Sequence, residues 1–176
     1  MAETPAVVLP PRLQDVEPVR SIRTFARIDY TYTAGRASSR FLHRVAEKRL
    51  FGQRCPVCKM VYVPPRGCCP TDGVATEEDV ELRDHGTITS FCVVNVPFMG
   101  TLMEIPYVSA LILLDNSDIP IMHLIQEVPY DQVHMGMRVE AVWVPEDEIG
   151  PTLESIKYFR PNGEPDAPYD SYKDNV

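Results

Sequence analysis

The 176-residue sequence predicts a mainly β protein: an N-terminal arm with one helix, a small metal-binding ribbon, then a five-stranded barrel of the OB type. Three observations predict this. Two Cys-Pro motifs stand at Cys55–Cys58 and Cys69–Asp72. Five β-patterned segments follow residue 80, with turn signals between them. The charge changes sign just after the second motif: residues 1–76 hold 12 Lys/Arg against 6 Asp/Glu, and residues 77–176 hold 5 against 19. Such a split suggests two modules with different neighbours.

Residues 1–35 form the arm. Pro5, Pro10, Pro11 and Pro18 prevent a long helix there. Ile28 to Thr33 alternates and carries Tyr30 and Tyr32, so it reads as an extended piece able to lie on a partner. A helix is expected from Ser39 to Phe51, capped by Ser38 or Ser39 and ended by Gly52. Phe41, Leu42, Val45 and Leu50 fall on one face of it, and Arg40, Arg44, Glu47 and Lys48 on the other.

The helix leads into the metal segment, which closes a module spanning 36–76. Cysteines two residues apart suit a tetrahedral zinc, because a tight turn after the first sulfur brings the second to the same ion. Cys55, Cys58 and Cys69 are candidate ligands. Aligning the two half-sites as Cys-Pro-x-ligand puts Asp72 in the fourth position; Cys68 competes for it, and water is the third option. A redox iron of the rubredoxin kind wants four thiolates. A closed shell implies structural zinc with no open position for chemistry. Four cysteines crowded between 55 and 69 also argue for metal in a reducing compartment rather than disulfides. Between the motifs, Met60 to Val63 alternates as a ribbon strand, and Pro64-Pro65 stops it.

The barrel is expected over 77–161. Glu81 to Val96 reads as one long strand bent at Gly86. Tyr107 to Leu114 and Ile121 to Ile125 form a hairpin around Asp115-Asn116-Ser117-Asp118. Asp131 to Met135 is a short helical turn. Met137 to Val144 and Thr152 to Phe159 complete five strands, which fit an OB-type barrel, although the period alone also allows another small barrel or a sandwich. Residues 162–176 are polar and proline-rich and read as a flexible tail. The first residues lack a long apolar run and no stretch is long enough to span a bilayer, so a cytoplasmic location is expected.

At this point the residues carry a resemblance. Arg40-Phe41-Leu42, Gln53-Arg54-Cys55-Pro56-Val57-Cys58, Tyr62-Val63-Pro64-Pro65-Arg66 and Cys69-Pro70 resemble the family of small proteins with a rubredoxin-like zinc ribbon and an OB-fold, which is associated with acyl-CoA enzymes. Gly86-Thr87-Ile88-Thr89, Met135-Gly136-Met137-Arg138-Val139 and Tyr158-Phe159-Arg160-Pro161 extend the resemblance over about residues 36–161. It implies a thiolase-like, lipid-transfer-protein-like partner. The sub-group it looks most like supplies the accessory subunit of steroid side-chain aldolases, in which the partner cleaves a carbon–carbon bond of a hydroxylated steroid acyl-CoA. An acyl-CoA hydratase is a further partner that the resemblance brings in. Asp72 departs from the family's pattern and puts the metal set in question.

Other functions fare worse on the residues. His43, His85, His123 and His134 are scattered, and no nucleophile stands with a base, so no catalytic residue is assigned. Cys92, among Phe91, Val93 and Val94, reads as a buried hydrophobe. A nucleic-acid groove needs positive charge, which the acidic barrel half lacks. An independent acyl-CoA carrier is the main rival to an accessory subunit. The expected assembly is a symmetric heterotetramer on a thiolase-like dimer. Its contacts would come from Tyr30, Tyr32 and Phe41, and from Phe98 and Met99 in the Pro- and Gly-bounded loop.

Overall fold

The structure, a computed structural model, describes residues 11, 15, 28–96 and 103–176. The chain forms two units, Met1–Tyr32 and Thr33–Val176. In the first, the described residues 28–32 carry no strand, and Tyr30 and Tyr32 are 78% and 71% exposed. Phe98 and Met99 lie outside the described residues.

The second unit begins with helix α1, Arg36–Val45. It starts three residues before the expected position, so Ser38 and Ser39 lie inside its first turn and cap nothing. Gly35 stands at the N-cap without a side-chain bond, and Ser39 Oγ donates to the Ala34 carbonyl at 3.3 Å. The helix also stops early. Lys48 adopts φ 55°, in the left-handed region, which reverses the chain and lets Leu50–Arg54 run as strand β1. Gly52 is therefore no cap. It lies mid-strand, where a Cβ would come within 2.6 Å of Val61 Cγ1 and 3.0 Å of the Tyr62 carbonyl oxygen. Only a residue without a side chain lets β1 approach β2 (Val61–Tyr62) so closely.

β3, Glu78–Leu82, pairs antiparallel with the other edge of β1, completing a three-stranded ribbon sheet in the order β2-β1-β3. The expected long strand is thus two strands in two sheets. The break falls at Arg83-Asp84 rather than at Gly86, and β4 runs from His85 to Val94. Gly86 sits in β4 because a Cβ there would meet the Leu113 carbonyl oxygen at 2.6 Å. The register shift lies further on, between Ile88 and Ser90.

β4, β5 (Tyr107–Leu114), β6 (Ile121–Ile125), β7 (Arg138–Trp143) and β8 (Ile156–Pro161) close a five-stranded barrel in the order β4-β5-β6-β8-β7. All pairings are antiparallel except β6 with β8. The β5–β6 hairpin has the bounds expected for it. Alternate residues of β5, namely Val108, Ala110, Ile112 and Leu114, point inward to meet Ile88, Val139, Ile156 and Phe159. Residues 131–135 make turns and no helix. Leu153–Ser155 is a single 3₁₀ turn, so β8 starts later than expected. Cys92 is exposed, contrary to its apolar neighbourhood in sequence: it lies on the outward face of β4.

The C-terminal residues are not loose. The Ala167 amide donates to the Gly136 carbonyl at 2.9 Å, Glu164 pairs with Arg138 at 2.9 Å, and Tyr172 is buried. No helix among the described residues is long and apolar enough to cross a membrane.

The charge split also takes a different meaning. Arg40 pairs with Asp79, Arg49 with Glu81 and Arg54 with Glu78. Lys48 of the turn after α1 pairs with Glu146 beyond β7. Much of the basic half is thus answered by the acidic half within one unit. These pairs are exposed and individually contribute at most about 1 kcal/mol.

Candidate metal centre

The two half-sites fold alike. In the first, the Val57 amide donates to Cys55 Sγ at 3.3 Å, the Lys59 amide to the Cys55 carbonyl at 3.1 Å, and the Cys55 amide to the Met60 carbonyl at 2.9 Å. In the second, the Asp72 amide donates to Cys69 Sγ at 3.4 Å, the Gly73 amide to the Cys69 carbonyl at 2.9 Å, and the Cys69 amide to the Val74 carbonyl at 2.8 Å. The residue after each ligand pair is left-handed, Lys59 at φ 68° and Gly73 at φ 67°. Superposing the knuckles in this way puts Asp72 opposite Cys58.

One ligand atom from each of Cys55, Cys58, Cys69 and Asp72 lies within 4.8 Å of the others. Asp72 Oδ2 is 3.2 Å from both Cys55 Sγ and Cys69 Sγ, and Cys58 Sγ is 3.7 Å from Cys69 Sγ. Zinc–thiolate bonds of about 2.3 Å give a tetrahedral sulfur–sulfur edge of about 3.8 Å, so the donors already stand at the spacing of one ion. Cys68 is exposed and bridges to Ala75 through its backbone; its sulfur is not in the cluster.

The donor chemistry also fits a divalent cation. Hydrogen bonds from Cys55, then Cys69 and Cys58, hold the Asp72 carboxyl below its ordinary range. Burial works against the Cys69 thiolate, but the Tyr62 hydroxyl and the Asp72 amide outweigh it, and the thiol falls below its usual value. At Cys58 the Met60 backbone favours the thiolate, yet burial and the bonds with Asp72, Cys55 and Cys69 push the thiol up to about 11. Thiolates and a carboxylate gathered this closely suit a divalent cation, whose charge offsets theirs.

Tyr62 was not singled out from the sequence. Its hydroxyl lies 3.4 Å from Cys69 Sγ, and that contact first, then burial, pushes its pKa up to about 12, so it stays a donor toward sulfur. A buried tyrosine needs a polar partner. The only signal in the sequence was its place between the two knuckles, on the strand that joins them.

The centre is tied to the barrel. Val61 is only 2% exposed; its amide donates to Asp118 Oδ2 at 2.7 Å, and the Asp118 amide returns a bond to the Val61 carbonyl at 3.1 Å. The turn of the β5–β6 hairpin thereby satisfies the free edge of β2. Ile119 of the same turn packs on the small core of Cys55, Tyr62 and Cys69. His123, from β6, is a satisfied histidine: burial pushes its pKa down, its Nδ1 accepts from the Leu124 amide at 2.9 Å, and its ring lies edge-on to Phe159.

Phe41, expected at a partner surface, is 3% exposed and packs on Phe51, with ring centroids 5.9 Å apart. Its side chain belongs to the core.

Comparison with known proteins agrees with this architecture. Residues 43–78 match the family model for the ChsH2 rubredoxin-like zinc ribbon domain, and residues 79–144 that for the ChsH2 C-terminal OB-fold domain. A probable enoyl-CoA hydratase alpha subunit of Thermomonospora curvata is 34% identical over 115 residues, 65% of this chain and 34% of that protein. The chain thus spans about a third of that relative. A DUF35 domain-containing scaffold protein of Methanocaldococcus jannaschii is 36% identical over 95 residues, 53% of this chain and 67% of that one. Among solved structures, a chain of the Ltp2-ChsH2(DUF35) aldolase superposes with a TM-score of 0.56 at 27% identity, covering 74% of this chain and 98% of that one. A DUF35 protein of unknown function from Sulfolobus solfataricus shares the fold, with a TM-score of 0.54 at 20% identity over 72% of this chain and 84% of its own.

Proposed function

Because the chain belongs to the DUF35 family of ChsH2-type zinc-ribbon and OB-fold proteins, we propose that it is a non-catalytic accessory subunit of a thiolase-like acyl-CoA enzyme. The reaction we assign to the complex is retro-aldol cleavage of a hydroxylated steroid acyl-CoA. One observation carries this reading. The superposition covers 98% of a chain from the Ltp2-ChsH2(DUF35) aldolase. The zinc supports the role by holding the ribbon sheet in shape, with Cys55, Cys58, Cys69 and Asp72 as its ligands. We place the contact surface on Tyr30, Tyr32, Phe98 and Met99, with one chain on each side of a thiolase-like dimer. The division we hold to is an arm, a ribbon with its helix, a barrel and a tail, in a cytoplasmic protein.

A second reading follows from the hydratase relative: the same surface serves an acyl-CoA hydratase complex. Co-expression decides between them. The chain should co-purify with a thiolase-like subunit, and the pair should cleave a steroid acyl-CoA that the chain alone leaves untouched. Co-purification with a hydratase subunit instead, and hydration without cleavage, supports the second reading. Tight binding of acyl-CoA by the isolated chain would replace both with a carrier.

A further inference from the structure

A cleft opens where the ribbon module meets the barrel. Its floor is apolar, formed by Phe41, Leu50, Leu114 and Ile156. Met122 and Leu153 also line it and stay 71% and 40% exposed, so they stand at its mouth. Among the described residues, the one charged side chain on its wall is Arg66. Its guanidinium lies over the Tyr62 ring, 5.8 Å from the centroid, and it has no carboxylate partner among the described residues. Most other arginines of the ribbon module are paired.

Size discriminates between occupants. The cleft holds about 220 Å³. Dry apolar cavities of about 150 Å³ accept a benzene-sized group. Pockets for whole small ligands run to about 300–1,000 Å³. One large apolar side chain fits, and a fatty or steroid body does not. An apolar socket beside an unpaired guanidinium is complementary to an apolar anchor next to an acid, since arginine binds a carboxylate through two parallel bonds.

We infer that this cleft docks a segment of a partner protein, seating one aromatic or aliphatic side chain between Met122 and Leu153 and a neighbouring carboxylate on Arg66. The inference builds on the subunit role proposed above and adds a second contact, apart from Tyr30, Tyr32, Phe98 and Met99.

A random peptide display library panned on the zinc-loaded full chain tests it without knowledge of the partner. Enriched peptides carry a Phe, Trp or Leu with an Asp or Glu within a few residues. Amide shifts on their binding cluster at Ile121, Met122 and Ile156. Met122→Glu and Leu153→Glu, both at exposed sites, weaken them at least about tenfold, and Arg66→Gln several-fold. Unchanged zinc content and far-UV spectra show that each variant is folded. Peptides without that pattern, or indifferent to Met122→Glu, overturn the inference. So does their displacement by medium-chain fatty acids at lower concentration, which would make the cleft a ligand site. Self-association of the chain that Met122→Glu abolishes overturns it in favour of a second copy. If these peptides bind as expected but no thiolase-like subunit co-purifies with the wild-type chain, the subunit reading fails and the cleft stands. If the subunit co-purifies equally with Met122→Glu, the cleft assignment fails and the subunit reading stands.

Discussion

Replacing Asp118 with alanine should loosen the zinc centre from the barrel side, about which the ligands themselves say nothing. The carboxylate accepts the Val61 amide at 2.7 Å. Val61 is 2% exposed, so without Asp118 its N–H has no acceptor and little access to water. A buried donor left unsatisfied costs about 1–3 kcal/mol. The Asp118 backbone amide keeps its bond to the Val61 carbonyl at 3.1 Å, so β2 stays paired with β1 but the hairpin turn holds it by one bond instead of two. If the whole cost falls on the metal-bound ribbon, zinc affinity drops between about 5-fold and 150-fold, since 1.4 kcal/mol is a factor of ten. The same cost lowers the melting temperature by about 2–4 °C per kcal/mol in a chain of this size. Competition with a chromophoric chelator measures the first quantity and calorimetry the second. Asp118→Asn, which keeps an acceptor oxygen, should recover most of both. If Asp118→Ala changes neither zinc affinity nor melting temperature, the ribbon and barrel are energetically independent and the coupling argued from this contact is wrong.

Gly52→Ala should cost about 1–3 kcal/mol by overpacking, because the new methyl meets Val61 Cγ1 at 2.6 Å and the Tyr62 carbonyl oxygen at 3.0 Å; denaturant unfolding with an unchanged midpoint would refute the close approach. Asp72→Ala should lower zinc affinity sharply while Cys68→Ser leaves it alone, and chelator competition giving the reverse order would move the fourth ligand to Cys68. His134 offers a pH test: its Nδ1 lies 2.9 Å from the Gln132 carbonyl and its Nε2 2.8 Å from Asp166, so only the imidazolium donates to both, and the Gln132 carbonyl, then Asp166, raise its pKa. A raised folded value means that the stabilisation is complete below the unfolded pKa of about 6.5 and is lost as pH rises through the folded value. The effect is small because both partners are half exposed, but an NMR titration should show His134 above its ordinary value in the wild type and lower in Asp166→Asn, where the Gln132 carbonyl alone still raises it.

What could be read in the sequence was whatever covalent spacing or a short local period determines. The knuckles follow from Cys-Pro-x-ligand, and the β5–β6 hairpin from a nearly continuous apolar run closed by Asp115-Asn116-Ser117-Asp118. The misreadings arose where two local rules agree on the wrong answer. Leu50 continues the helical stripe of Phe41, Leu42 and Val45, and Gly52 then resembles a helix stop. Tertiary contact decides otherwise, since β1 must lie against β2. Glu81 to Val96 contains no proline, and its single glycine, Gly86, draws the bend away from Arg83-Asp84, where the chain leaves one sheet for another. Cys92 and the C-terminal residues depend on which face meets which surface, and the bond from Arg138 to Glu164 joins residues 26 apart. Tyr62 and Asp118 belong to the same class: their roles exist only once the ribbon and the hairpin turn have met.

The most direct test of the accessory-subunit role is the mass and activity of the chain co-expressed with a thiolase-like subunit from the same cell. Light scattering on the eluted complex, with a steroid acyl-CoA cleavage assay across the same fractions, should show two copies of each chain and activity only where both are present. A thiolase-like subunit that elutes without this chain and cleaves the substrate equally well alone would contradict it.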